Sequence, residues 1–182
     1  MTDEWALDAS DGELSIRTGV AGRAARMGHR LTIAVTRWRA TVRWAGAEPV
    51  GVELVAEVES FEVLHGEGGV KGLSGPEKAL AKSNAMKSLD ADRYPEIRFA
   101  TTDITKIDGG YRLTGDLRIH GKLRTHLVEV RVEDLGDSWR MAADSAVRQS
   151  DFGVKPYSLL MGSVRVADEV SVSFTAVHAK DD

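Results

Sequence analysis

Val50, Val52, Leu54, Ala56 and Val58 stand at every second position, with Glu53, Glu57 and Glu59 in the opposite phase. Successive side chains of a strand point to opposite faces, so this run predicts a long antiparallel strand with one dry face and one wet one. The same repeat recurs along the chain. Leu14 and Ile16 oppose Ser15 and Arg17, and Tyr111, Leu113, Gly115, Leu117 and Ile119 oppose Arg112, Thr114, Asp116, Arg118 and His120. Trp139, Met141, Ala143, Ser145 and Val147 share one face, and Val170, Val172, Phe174 and Ala176 alternate with Ser171, Ser173 and Thr175. So many half-dry strands need a common interior, and a sheet closed on itself supplies one without leaving edges.

Between these runs the punctuation is that of a meander. Ser10-Asp11-Gly12 and Asp108-Gly109-Gly110 are turn signals. From Leu31 to Val35 the apolar phase is odd, and from Trp38 to Trp44 it is even. A phase change inside one long strand predicts a bulge or bend, which closure of a barrel requires. Ala21 to Met27 reads as a single turn ending at Gly28. Ser74-Gly75-Pro76-Glu77 fits a capping box with an early proline, so one helix is expected over about 75–89, packed outside the barrel or across one end. The glycine-rich run from His65 to Gly72 could nest an anion through backbone N–H groups. It lacks a following GKS or GKT, and a flexible loop is the preferred reading.

Composition narrows the function. A chain of 182 residues is of single-domain size. With no cysteine, disulfides, thiolate metal sites and a cysteine nucleophile are excluded together, and a reducing compartment suits the chain. The N-terminal stretch has neither a basic segment nor an apolar run, and no hydrophobic run is long enough to span a membrane, so a cytoplasmic location is expected. A net charge of −4 argues against nucleic acid as a partner. One asymmetry stands out: Arg17, Arg23, Arg26, Arg30, Arg37, Arg39 and Arg43 fall in a stretch, Leu14 to Ala47, with no acid. A solvated outer face paired with acids elsewhere is the simpler account, and a basic patch for transient contact with a membrane surface is the sharper one. Trp38 and Trp44 lie in the same stretch and could sit at such an edge, although ordinary packing is preferred.

Gln149 to Val170 breaks the pattern. Its first part ends a strand at Phe152-Gly153, and Pro156, Tyr157, Leu159, Leu160 and Met161 then stand where a surface loop is ordinarily polar. An apolar connection needs something to cover it. An Asp168-Glu169 turn leads into the last strand.

Four segments taken together resemble the YceI-like family: LDADRYPEIRFATTDI from Leu89 to Ile104, YRLTGDLRIHG from Tyr111 to Gly121, QSDFGV from Gln149 to Val154, and VADEVSVSF from Val166 to Phe174. The chain departs from the family pattern at Gln149, where an arginine is common, and at Lys122 to His126, where a valine-threonine-lysine-proline run is usual. The resemblance implies an all-β fold, an antiparallel up-and-down lipocalin-like β-barrel of about eight strands with an apolar tunnel. It also implies polyisoprenoid or other long apolar ligands, and no catalytic set.

On this reading the lining falls to Leu54, Phe99, Leu117, Met141, Phe152, Tyr157, Leu160 and Met161, with Tyr157 and polar groups near Gln149 orienting a ligand's head. Without the resemblance, the same residues describe a filled core equally well. The expected protein is a non-catalytic carrier that sequesters a long apolar small molecule, isoprenoid or fatty-acyl in kind, with no cofactor and no metal. A homodimer is a plausible assembly. The rival reading is a small hydrolase or isomerase using His120 with Asp116; none of the five histidines falls in a compact ligand motif, and His120 and His126 are read as surface residues. Ser150-Asp151 lacks a nucleophile elbow, and Asp151 is expected to fix a turn.

Overall fold

The computed structural model describes residues 2–181. Its strands are β1 (Thr2–Asp8), β2 (Gly12–Ala21), β3 (His29–Val35), β4 (Trp38–Ala45), β5 (Glu48–Glu57), β6 (Phe61–Gly68), β7 (Glu96–Ile107), β8 (Gly110–Ile119), β9 (Lys122–Asp134), β10 (Ser138–Arg148), the two-residue β11 (Ser158–Leu159) and β12 (Val164–Ala179). One helix, α1 (Gly75–Leu89), stands between β6 and β7. All strands join one antiparallel sheet in the order β1-β4-β5-β7-β8-β9-β10-β12-β2-β3-β6, with β11 paired to β12.

Twelve strands replace the eight expected: three stretches are each split in two by a bend, and the two-residue β11 is added. β1 and β2 are consecutive parts of one stretch broken at residues 9–11; β3 and β4 are likewise broken at 36–37, and β5 and β6 at 58–60. The lower parts pair as β1-β4-β5 and the upper parts as β2-β3-β6, so each broken stretch keeps its neighbour through the bend. Setting β11 aside, the path is a meander of long stretches whose last member, β12, returns to pair with β2 in the first. The sheet therefore curls around an interior.

Ser60 ties together two of the bends, those at 36–37 and 58–60. It is the one buried polar residue among the described ones, and its Oγ accepts from Arg37 N–H at 3.0 Å and donates to the Glu57 carbonyl at 2.7 Å. Its own carbonyl accepts from Thr36 N–H and Thr36 Oγ. The phase change anticipated between Val35 and Trp38 is this bend, and both residues are buried on either side of it. Around it packs a belt of Leu7, Leu14, Ile33, Val35, Trp38, Phe61 and Ala176. A second cluster of Phe99, Leu113, Leu117, Val147, Phe152 and Val154 fills the wall beside it.

One inward residue of the opening run is turned out. Val50 is half exposed because a bulge between Arg43 and Trp44 shifts the β4–β5 register there, placing Pro49 toward the interior and Val50 toward solvent. The Asp168-Glu169 turn is also absent as such: both residues lie inside β12, at an irregularity between Val166 and Val170.

The helix has the expected bounds. Ser74 Oγ accepts from Glu77 N–H while the Glu77 carboxylate accepts from Ser74 N–H, completing the capping box, and Asp90 ends the helix in a left-handed conformation. The helix packs on β6 and the 58–60 turn, with Lys82 Nζ donating to the Glu59 carbonyl at 2.9 Å, and Ala81, Met86 and Leu89 face the core. On the outer face, Arg37–Glu57, Arg39–Glu96, Arg98–Glu53 and Arg112–Glu129 are ion pairs. Exposed pairs of this sort contribute about 0–1 kcal/mol each, so they dress the barrel and do not drive its folding. Among the described residues, no helix is long and apolar enough to cross a membrane.

Candidate functional site

The interior is open. A cavity of about 1120 Å³ runs inside the sheet, larger than the roughly 300–1,000 Å³ usual for small-molecule pockets. Along β10 alone, Trp139, Met141, Ala143, Ser145 and Val147 all line it, a reach of about 27 Å at a strand rise of about 3.4 Å per residue. At one end stand Trp5, Trp44 and Trp139, with Trp5 stacked on His178 and tilted against Trp44 at 4.6 Å between ring centroids. At the other, Met27, Leu80, Tyr157, Leu159 and Leu160 surround a mouth. The small side chains of Ala143 and Ser145 help to keep the middle hollow.

Of the residues anticipated as lining, Leu54 on β5, Phe99 on β7, Leu117 on β8 and Met141 on β10 lie on the wall, as do Phe152, Tyr157 and Leu160 beyond β10. Met161 does not. Its left-handed backbone, φ +57°, turns the side chain wholly into solvent. Gln149 reaches the cavity too, but its Nε2 donates to the Ala167 carbonyl at 3.0 Å and so ties the loop to β12. The Ser150 turn is fixed by Asp168, not by Asp151: Ser150 N–H and Oγ donate to the two Asp168 carboxylate oxygens at 2.8 and 2.5 Å. These bonds hold the Asp168 carboxyl below the usual carboxylate range.

His126 corrects the sequence reading. It points inward, on the same face as Val128, Val130 and Val132, and its Nε2 lies 2.5 Å from Ser145 Oγ. Burial lowers its pKa and favours the neutral ring. The pair is a polar spot within apolar walls, and the shared phase with the three valines is the signal that marks it.

His120 and Asp116 are not brought together as an acid/base pair. Asp116 sits opposite Ala100 and Thr125 on the outer phase of β8, whereas the His120 Nδ1 lies 3.3 Å from the Phe152 carbonyl and its ring packs edge-on against Tyr94. The glycine-rich loop after β6 folds over His29, whose Nε2 donates to the Lys71 carbonyl at 2.6 Å. Trp38 is buried in the belt and Trp44 is at the tryptophan end of the cavity, so neither accompanies Arg23, Arg26 and Arg30 at the mouth.

A curled antiparallel sheet around one long apolar cavity, with a helix beside its mouth, defines a lipocalin-like barrel. The YceI-like domain matches residues 5–178, and the chain belongs to the YceI-like family. Its fold is similar to that of BcnA from Burkholderia cenocepacia, with a TM-score of 0.72 at 22% identity over 95% of this chain and 99% of that one. It is also similar to the YCEI protein of Campylobacter jejuni, with a TM-score of 0.61 at 13% identity over 82% of this chain and 85% of that one. None of the curated proteins matches it in sequence.

Proposed function

We propose that the chain is a non-catalytic carrier that sequesters a long apolar ligand, isoprenoid or fatty-acyl in kind, inside the barrel. The observation that carries this reading is the continuous apolar cavity, which extends from the tryptophan end to the lip. The family's association with polyisoprenoid ligands supports it. Affinity needs no reactive group, because each buried methylene contributes about 0.8 kcal/mol before ordering costs. His126 and Ser145 form a hydrogen-bonding pair in the wall, suited to a neutral polar group on the ligand. The proposed compartment is the cytoplasm, in keeping with a chain that lacks cysteine.

Displacement of a polarity-sensitive fluorescent fatty acid by prenols of increasing length tests the reading. Affinity is expected to climb with each isoprene unit until the cavity is full. Affinity that does not depend on chain length would sink it.

A further inference from the structure

The mouth of the cavity combines two surfaces that a soluble carrier does not need. The first is apolar. Met27, Leu80, Leu159 and Leu160 line the cavity, yet each is at least half exposed, and Met161 beside them is fully exposed. Elsewhere on the barrel, exposed apolar residues such as Leu127 on β9 and Val177 on β12 stand on separate strands, as is normal for a protein surface. The lip that carries Leu160 and Met161 is also fixed. These two consecutive residues adopt φ +51° and +57°, a region that non-glycine residues rarely enter. Ser163 N–H and Oγ both donate to the Leu160 carbonyl, and the Ser163 carbonyl accepts from Ala24 N–H at 2.9 Å. Gly22 permits that approach, since a Cβ there would stand 2.2 Å from the Ser163 oxygen. Strained backbone held by such fastening presents Met161 to solvent instead of burying it.

The second surface is charge. The segments forming the mouth, 19–30, 67–80 and 155–166, contain seven Lys or Arg and two Glu, in a chain whose net charge is −4. Arg23, Arg26, Arg30 and Arg165 are exposed there, and none forms an ion pair among the described residues. One of the two acids, Glu77, is engaged in the helix cap. Arg37 and Arg39, in contrast, are paired with acids on the barrel wall. Of the arginine-rich stretch, Arg37 and Arg39 are thus neutralised on the wall, whereas at the rim Arg23 and Arg26 are unpaired and Arg30 stands opposite Glu67 in the β3–β6 register without closing an ion pair.

We propose that this end docks on an anionic lipid bilayer: Leu159, Leu160 and Met161 enter the boundary between headgroups and acyl chains, while Arg23, Arg26, Arg30 and Arg165 meet lipid phosphates. Apolar insertion flanked by cations is the physics of interfacial membrane binding. The occupant follows from charge complementarity and from continuity, because the same apolar side chains that would enter the bilayer line the cavity. A ligand could then pass between membrane and barrel without crossing water. Docking does not rest on the carrier reading, since the rim binds lipid whatever the cavity holds.

Co-sedimentation with vesicles of phosphatidylcholine alone, and of phosphatidylcholine with phosphatidylglycerol, tests the proposal. The protein is expected to pellet with the anionic vesicles only, with affinity falling about tenfold or more as salt rises from roughly 50 to 300 mM. Leu160→Asp with Met161→Asp, and separately Arg23→Glu with Arg26→Glu, should each weaken binding at least about tenfold while circular dichroism and thermal unfolding stay unchanged. Leu127→Asp, on the barrel wall, should bind as the parent does. Equal binding to both kinds of vesicle, no binding to either, wild-type binding by both double variants, or an equal loss in Leu127→Asp overturns it. Ligand uptake is read by probe displacement without vesicles, so a failed carrier and a failed dock give different results.

Discussion

The belt at the bends and the lip at the mouth are both rich in large apolar residues, but they are used in opposite ways. Leu7, Val35, Trp38 and Phe61 are nearly inaccessible and touch one another across the three bent stretches. Leu159, Leu160 and Met161 are exposed and lie outside both packed clusters. The bends bring the belt together; the left-handed backbone of the lip holds its residues apart from any core. Apolar character alone therefore did not decide burial. Backbone direction did.

Truncation separates the two regions most sharply. Trp38→Ala should cost about 3–5 kcal/mol of stability, as expected for removing a large buried ring, whereas Met161→Ala should change it by about 0.5 kcal/mol or less. Urea unfolding of both variants checks this, and equal costs would erase the distinction between belt and lip. Ser60→Ala comes next. It leaves the Arg37 N–H without its acceptor at a buried bend and should cost about 1–3 kcal/mol. If unfolding shows no loss, the bends do not depend on that hydroxyl.

The smallest expected effect is on pH. An unfolded histidine titrates near pH 6.5, and burial places His126 below that in the fold. As pH falls from about 6.5 toward the folded-state value, the unfolded chain binds the proton first, so the His126 contribution to stability declines. His126→Gln should flatten that part of the stability profile, and an unchanged acid limb would show that His126 is not the group responsible.

Much of this architecture is legible in the sequence, for reasons that the exceptions make plain. The helix is marked at both ends because Ser74 and Glu77 are local signals and the turn at Asp90 precedes a proline. The wall residues Leu54, Phe99, Leu117 and Met141 follow from strict alternation within straight strands. Alternation fails where the backbone adds a residue or changes direction: the bulge at Arg43/Trp44 expels Val50, and three bends divide what would be eight strands into eleven, to which the short β11 adds a twelfth. His126 was hidden because the first apolar residues of β9, Leu123 and Leu127, stand in the outward phase, and only from Val128 onward does the inward phase declare itself. Met161 deceived in the other direction, since the rule that apolar loops are covered assumes that the cover belongs to the same chain.

On the proposed function, the cavity and not a filled core is the working part of the molecule. Native mass spectrometry of gently purified protein, beside an Ala143→Trp variant whose indole would occupy the middle of the barrel, tests it most directly. The parent should carry an apolar ligand that the folded variant has lost. A ligand-free parent, or equal occupancy in the two proteins, would contradict the account.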